Sequence, residues 1–459
     1  MPQSPAATEL PSPNPVFPHT TRPGLTDRAI PILPERESPP RLPDLYRLTR
    51  PFSWTLLHDT PASYLPPIDP SSFRPVTAYE PPIALRPRVY RKGLWNLYPW
   101  VALTKTYDSN INLSETNRIS DIYVTPRAGI EFQLGSPDTI YEPYDTILAL
   151  NASYEAYGDL FLNHNDLSAF NQRLELRGRI GRTSAVFRPF LSFTDITGTD
   201  ILTRELYNRT RRIRVLPGLR NEFQLTSVTG WNQTFSSFHF HHTDPAYINL
   251  NSWRTQQELT YLLTPDLRLL AWGEYRQSRP SRGSGADEIF FGLGWAGKPD
   301  PRLYTELRLG WDHLSHQRPP VAGKRRNLSG FRFNGYTTFQ WSARTALTFR
   351  YDRDYVFDEL AEDDNFVSTL LQFKAEFYLG ENWFLTPYFG VSIDDHETSR
   401  NRFLNLRPEI EFSYAFPDDE RSNESRIYIK FGYLNSSTLK GYNRTIEAYR
   451  ITTGVVYHF

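Results

Sequence analysis

The feature that most constrains this chain is a succession of short segments, from Gly93 to Phe459, in which apolar and polar side chains alternate with a period of two. In residues 302–311, Leu303, Leu307, Leu309 and Trp311 fall on one face, and Tyr304, Glu306, Arg308 and Gly310 on the other. Arg173, Glu175, Arg177 and Arg179 oppose Leu174 and Leu176. Gln372, Lys374 and Glu376 oppose Leu371, Phe373, Ala375 and Phe377, and Arg426, Tyr428 and Lys430 oppose Ile427, Ile429, Phe431 and Tyr433. A helix would scatter each set around its axis, whereas a strand sorts it into two faces.

About 18 such segments are legible, beginning near Tyr98, Asp121, Tyr144, Ser168, Ala185, Arg212, Val228, Asn249, Asp266, Asp287, Arg302, Leu328, Arg344, Phe366, Trp383, Arg402, Ser425 and Arg444. From the fourth onward, short turns such as Arg182-Thr183-Ser184, Thr264-Pro265 and Ser342-Ala343 alternate with longer links such as 197–210, 313–327 and 357–365. Short turns at one rim and long loops at the other are the layout of an outer-membrane barrel. Composition agrees. Only 39% of residues are hydrophobic, yet 15% are aromatic, which suits strands that show lipid one face only. No run approaches the 18 apolar residues of a membrane helix. The expected fold is all-β: a transmembrane antiparallel up-and-down barrel of about 18 strands, with both ends of the barrel domain periplasmic.

The last segment carries Tyr449, Ile451, Thr453, Val455, Tyr457 and Phe459 on one face. A second aromatic set falls toward the rims: Tyr98, Trp100, Trp295, Trp341, Trp383 and Phe384 on the short-turn side, and Tyr107, Tyr157, Tyr275, Trp311, Tyr355 and Tyr433 on the other. Rings with an apolar body and a polar tip suit the two membrane interfaces. Pro126, Pro189, Pro217, Pro387 and Pro408 cut against this pattern, because each removes a ladder donor inside an expected strand. Bulges or local interruptions would accommodate them.

Residues 1–92 are different in kind and hold 21 of the 37 prolines. Polyproline II and irregular turns are expected there, since proline lacks the backbone donor and restricts its predecessor. Phe17, Trp54, Leu56, Leu57, Tyr64, Phe73 and Tyr79 are more than a spacer needs. The division is therefore a Pro-rich arm at 1–92, serving as periplasmic tether or lumen plug, and a barrel at 93–459. The opening MPQSPAATEL has neither a basic nor an apolar leader region, so placement in an outer membrane requires that this be a mature form.

Tyr107-Asp108-Ser109-Asn110-Ile111, followed by Ser120-Asp121-Ile122 and Thr125-Pro126, resembles the start of the β-barrel porin type 2 family, whose members are similar to barrels found beside exopolysaccharide operons. The resemblance spans about Tyr98 to Phe459 and leaves the arm without a counterpart. It implies a Gram-negative outer-membrane barrel with a pore. A chain ending in Phe459, with Tyr457 two residues before it, also resembles the insertion signal that such barrels present to the barrel-assembly machinery.

The candidate site is the charged face. Arg173, Arg177, Arg179, Arg214, Arg220, Arg268, Arg276, Arg308, Arg350, Arg407 and Arg450 interleave with Glu222, Glu274, Glu306, Glu376 and Glu409, and with Arg332, Arg426, Lys430, Glu175 and Glu411. Such a face cannot meet lipid, where a midplane Arg costs about 2–4 kcal/mol. It lines water as a pore with a basic bias, or pairs into a mesh that stiffens the wall or seats a plug. Other clusters carry less. His239 and His241 could share a metal but lack a third ligand, and a wet lumen or rim position suits them. Asp352, Asp354, Asp358, Glu359, Glu362, Asp363 and Asp364 form an acidic stretch without the spacing of a calcium loop. Asp394-Asp395-His396-Glu397 has no nucleophile motif beside it. No enzyme activity, cofactor or metal is expected, and 51 Lys+Arg against 51 Asp+Glu argues against nucleic acid. The expected function is passage of small hydrophilic or anionic solutes. The alternatives are an outer-membrane element of a polysaccharide-export or secretion assembly, and a plugged scaffold. The expected partners are outer-membrane lipid, lipopolysaccharide, the assembly machinery and an envelope protein held by the arm.

Overall fold

The computed structural model describes residues 90–458, apart from 93–94, 142–145, 183, 199–209, 265, 301, 318–326, 343, 358–364, 381, 397–400, 417–424, 442 and 444. The arm up to residue 89, Phe459 and the acidic run 358–364 therefore lie outside the described residues. The strands are β1 (Tyr90–Lys92), β2 (Trp95–Asp108), β3 (Asp121–Tyr141), β4 (Thr146–Phe161), β5 (Ala169–Arg182), β6 (Ala185–Gly198), β7 (Thr210–Gln224), β8 (Thr229–His242), β9 (Leu250–Thr264), β10 (Leu267–Pro280), β11 (Ala286–Asp300), β12 (Leu303–His316), β13 (Asn327–Ser342), β14 (Thr345–Phe357), β15 (Asn365–Tyr378), β16 (Trp383–His396), β17 (Arg402–Ala415), β18 (Arg426–Lys440) and β19 (Thr445–His458). Each of the starts read from the sequence lies within three residues of a strand start.

Strands β2 to β19 pair antiparallel in chain order, and β19 pairs back onto β2 from Trp100↔His458 to Asp108↔Arg450, which closes an 18-strand barrel without a free edge. Two residues join β5–β6, β9–β10, β11–β12 and β13–β14 at one rim, whereas eleven lie between β6 and β7 and ten between β12 and β13, whose joined ends are at the opposite rim. The link 416–425 is the long exception on the short-turn side. With an even strand count, the start of β2 and the end of β19 share the short-turn rim.

The outward face is apolar and exposed. Phe291, Leu293 and Trp341 are 67%, 69% and 65% exposed, and Leu259, Phe331, Ile410, Ile427 and Ile451 continue the belt around the barrel. A water-soluble surface rarely carries so large an apolar patch, so this face meets lipid. Trp295, Trp341, Trp383 and Tyr457 stand outward at the short-turn rim, and Tyr107, Trp311 and Tyr449 outward at the other. Tyr98, Trp100, Tyr157 and Phe384 are corrections to the expected girdles, because their strand parity turns them inward. Trp100 and Tyr428 pack with Ala102 and Val456 on the inner face, and the absence of a Cβ at Gly129 makes room for the indole.

The five strand prolines are accommodated by interruptions. Beside each, the ladder to one neighbour lapses for two residues and resumes in the same register: at 125–126 against β4, 188–189 against β5, 216–217 against β8, 386–387 against β15 and 407–408 against β18. Each proline keeps its partner on the other side, as in Leu103↔Pro126 and Phe389↔Pro408. The missing donor is absorbed by a local gap, with no bulge or slip.

Candidate functional site: the charged inner wall

Alternation fixes which side chains enter the barrel, because cross-strand partners share a face. By that rule Arg173, Arg177 and Arg179 on β5, Arg214, Arg220 and Glu222 on β7, and Arg268, Glu274 and Arg276 on β10 point inward. So do Glu306 and Arg308 on β12, Arg350 on β14, Glu376 on β15, Arg407 and Glu409 on β17, and Arg450 on β19. The overall basic bias expected of this face is not present. The candidate set lacks the inward carboxylates Asp108, Glu155, Glu258, Glu288 and Asp312, and Asp352 and Asp354 of the acidic stretch stand on the inner face of β14. Among the described residues the charges on the inner face nearly balance. Parity counted from each strand's flanking apolar residues was the signal that could have found these acids.

The inner wall has two unlike regions. On β9–β14 the charged groups form a dry mesh. Arg332, 2% exposed, reaches Glu288 at 3.1 Å, Asp312 and Asp354 at 3.4 Å and Glu274 at 3.5 Å. Arg276 joins Glu288 and lies 3.6 Å from Asp354, and Arg254 lies 3.7 Å from Glu274. Arg308 pairs with Glu306 and with Glu258 at 3.0 Å. Rings floor this mesh: the Arg332 guanidinium sits 5.0 Å from Phe290, and that of Arg308 sits 5.6 Å from Trp272.

Three of these contacts, Arg332–Glu274, Arg308–Glu258 and Arg276–Asp354, join strands three or four places apart, which a gently curved wall would hold well separated. Inward-facing glycines account for the approach. A Cβ on Gly294 would overlap the carbonyl oxygen of Leu307, and one on Gly310 would overlap that of Phe291. The wall therefore folds sharply inward along β11 and β12, and only glycine permits so close a backbone approach. Glu288, Asp312 and Asp354 bring carboxylate oxygens within 4.8 Å of one another. The guanidinium of Arg332 already stands among them and supplies the counter-charge a cation would bring.

The second region is the wall of β5–β7. Arg173, Arg177, Arg179, Arg188, Arg212, Arg214 and Arg220 share its inner face with the carboxylates Glu175 and Glu222. Arg188 and Arg220 both bind Glu222 at 3.0 Å, and Arg177 binds Glu175 at 3.0 Å. Arg177 and Arg220 have side chains 27% and 36% exposed, unlike the buried mesh. Elsewhere on the inner face, Arg407 and Lys430 hold Glu409 at 2.6 Å, Lys374 holds Glu376 at 2.6 Å, and Arg426 holds Glu411 at 3.3 Å.

The residues that carry the type 2 resemblance tie down the loops after β2 and β4. Asp121 accepts hydrogen bonds from the backbone amides of Ile122, Asn163 and His164, and Asn110 donates to the carbonyls of Ser114 and Glu447. Asp108 takes Arg450 at 2.6 Å across the closing seam. His239 and His241 face outward near the long-loop rim, with His239 Nδ1 2.8 Å from Asn251 Oδ1. Asp394 is engaged by Ser368 at 2.7 Å and Asn405 at 3.0 Å, Asp395 by Arg402 at 2.7 Å, and the His396 ring stacks on Phe366.

Neither a protein-family model nor a curated protein sequence matches the chain. Among solved structures it is similar to a BenF-like porin from Pseudomonas fluorescens Pf-5, with 8% identity and a TM-score of 0.46, covering 79% of this chain and 99% of that one. The outer membrane protein OpdK of Pseudomonas aeruginosa gives 9% identity and a TM-score of 0.44 over 79% of this chain and 99% of that one. OccAB3 of Acinetobacter baumannii gives 9% and 0.43 over the same shares. The likeness extends to the barrel and no further.

Proposed function

We propose that the protein is an outer-membrane channel that passes small hydrophilic solutes, with anions favoured along the wall of β5–β7. The observation that carries this reading is the contrast within the inner face. Arg177 and Arg220 on the arginine-rich wall of β5–β7 are 27% and 36% exposed, while the charged groups of β9–β14 are buried together in a dry mesh. An aqueous path beside the first wall meets a positive potential, which raises the local anion concentration. Arg173, Arg177, Arg214 and Arg220 then line the path. Glu274, Arg276, Glu306, Arg308 and Arg350 act as wall, and Glu222 orients two of the arginines. Lipopolysaccharide in the outer leaflet, and insertion through the terminal strand by the assembly machinery, belong to the same reading.

The test is ion selectivity in planar bilayers. A unit charge about 8 Å away in water attracts chloride and repels potassium by about 0.5 kcal/mol each, and screening at about 0.1 M salt roughly halves this, so three such charges shift the permeability ratio roughly tenfold. Replacing Arg177, Arg214 and Arg220 together with Gln should lower the chloride-to-potassium permeability ratio by about that factor. The effect should shrink at 1 M salt, where the screening length is about 3 Å. An open pore whose selectivity does not move would refute the anion path.

A further inference from the structure

The short strand β1 shows where the arm must go. It pairs antiparallel with the first residues of β2, as Tyr90↔Leu97, Arg91↔Asn96 and Lys92↔Trp95. The same edge of β2 is occupied from Trp100 onward by the end of β19. β1 and β19 run in the same direction on that edge, one after the other, and only the positions opposite Tyr98 and Pro99 lie between them. Beyond Tyr90 the ladder on this edge of β2 is already held by β19. A chain entering at Tyr90 is therefore offered two surfaces at the level of Tyr98, the outer and the inner.

Outside at this level stand Val101 and Tyr457, 42% and 44% exposed, on the lipid-facing belt. The sequence just before Tyr90 includes Arg86 and Arg88, and cations have no place in that belt. Inside stand Tyr98, Trp100 and Tyr428, with the exposed carboxylate of Glu131 opposite Tyr98. Asn96 Oδ1, Tyr98 Oη and Gln133 Oε1, all on this inner patch, are buried without a hydrogen-bond partner. Buried polar atoms call for partners, which a chain lying on this patch would supply. The segment leading into β1 includes Pro81-Pro82 and Pro87. Proline-rich chain is extended before it binds, loses little entropy, and lies well on aromatic rings.

We propose that residues 79–89 turn into the lumen and lie across the inner patch formed by Tyr98, Trp100 and Tyr428, which places the root of the arm inside the barrel mouth. The placement goes beyond the channel reading and holds whether or not solute passes.

The natural sequence has no cysteine, which makes paired substitutions clean. In the full chain, Ile83→Cys is combined with Ser413→Cys, on the inner face as the cross-strand partner of Tyr428, or with Val101→Cys on the outer face. A short bismaleimide is applied to purified protein, and intramolecular cross-links are counted by peptide mass spectrometry. The inner pair should cross-link at least tenfold more than the outer pair. Thr104→Cys, also inward, serves in place of Ser413→Cys should that variant not assemble. A ratio of one or below overturns the placement. So does failure of both inner pairs to cross-link while each cysteine accepts a monofunctional maleimide. Because the readout needs no current, its failure is distinct from a failure of the channel reading.

Discussion

Arg332→Met is the sharpest perturbation of the inner mesh. The guanidinium contacts carboxylates of Glu274, Glu288, Asp312 and Asp354 from β13 and is 2% exposed. Its removal leaves Arg254 and Arg276 to balance those carboxylates. Breaking a buried ion pair from one side costs about 3–5 kcal/mol, because the remaining charge is stranded in a dry site. The variant should lose about that much in guanidinium unfolding of the detergent-folded barrel. The triple variant Arg332→Met, Asp312→Asn, Asp354→Asn should recover most of the loss, since it removes charge from both sides. Arg177→Gln, on a pair with side chains 27% and 34% exposed, serves as the contrast and should change stability by about 1 kcal/mol or less. If Arg332→Met lies within about 0.5 kcal/mol of the natural protein, or the triple variant is no better than the single, the mesh is not what braces this corner.

Two further outcomes test orientation and lipid contact. Leu293→Arg, at the middle of the outward face of β11, should destabilise the barrel by about 2–4 kcal/mol in a bilayer. In a water-facing sheet the same exposed position would tolerate arginine within about 0.5 kcal/mol. A cysteine at Gln317, on the long-loop rim, should react with an impermeant maleimide on intact cells, while one at Lys298 should stay protected. Reversed labelling would overturn the topology.

The strand map was legible in the sequence because its cause is local. Each strand divides two environments, lipid outside and polar lumen inside, so every second side chain answers to a different solvent. That is why Leu303, Leu307 and Leu309 could be separated from Glu306 and Arg308 without coordinates, and why 18 starts could be placed. The interrupting prolines were legible as a problem and not as a solution, since whether the ladder slips or lapses depends on the neighbouring strand. Tertiary structure decided what parity and composition could not. The indole of Trp100 fits on the inner face because Gly129, its cross-strand partner, leaves room beneath it. Arg332 meets carboxylates from β10, β11, β12 and β14 because Gly294 and Gly310 let the wall fold in on itself. Distances between side chains on different strands depend on the curvature of the whole sheet, and curvature is set by strands far apart in the chain. The sequence by itself thus determined two faces and a closed barrel. Only the folded wall decided which of its charges are buried together and which stay partly exposed.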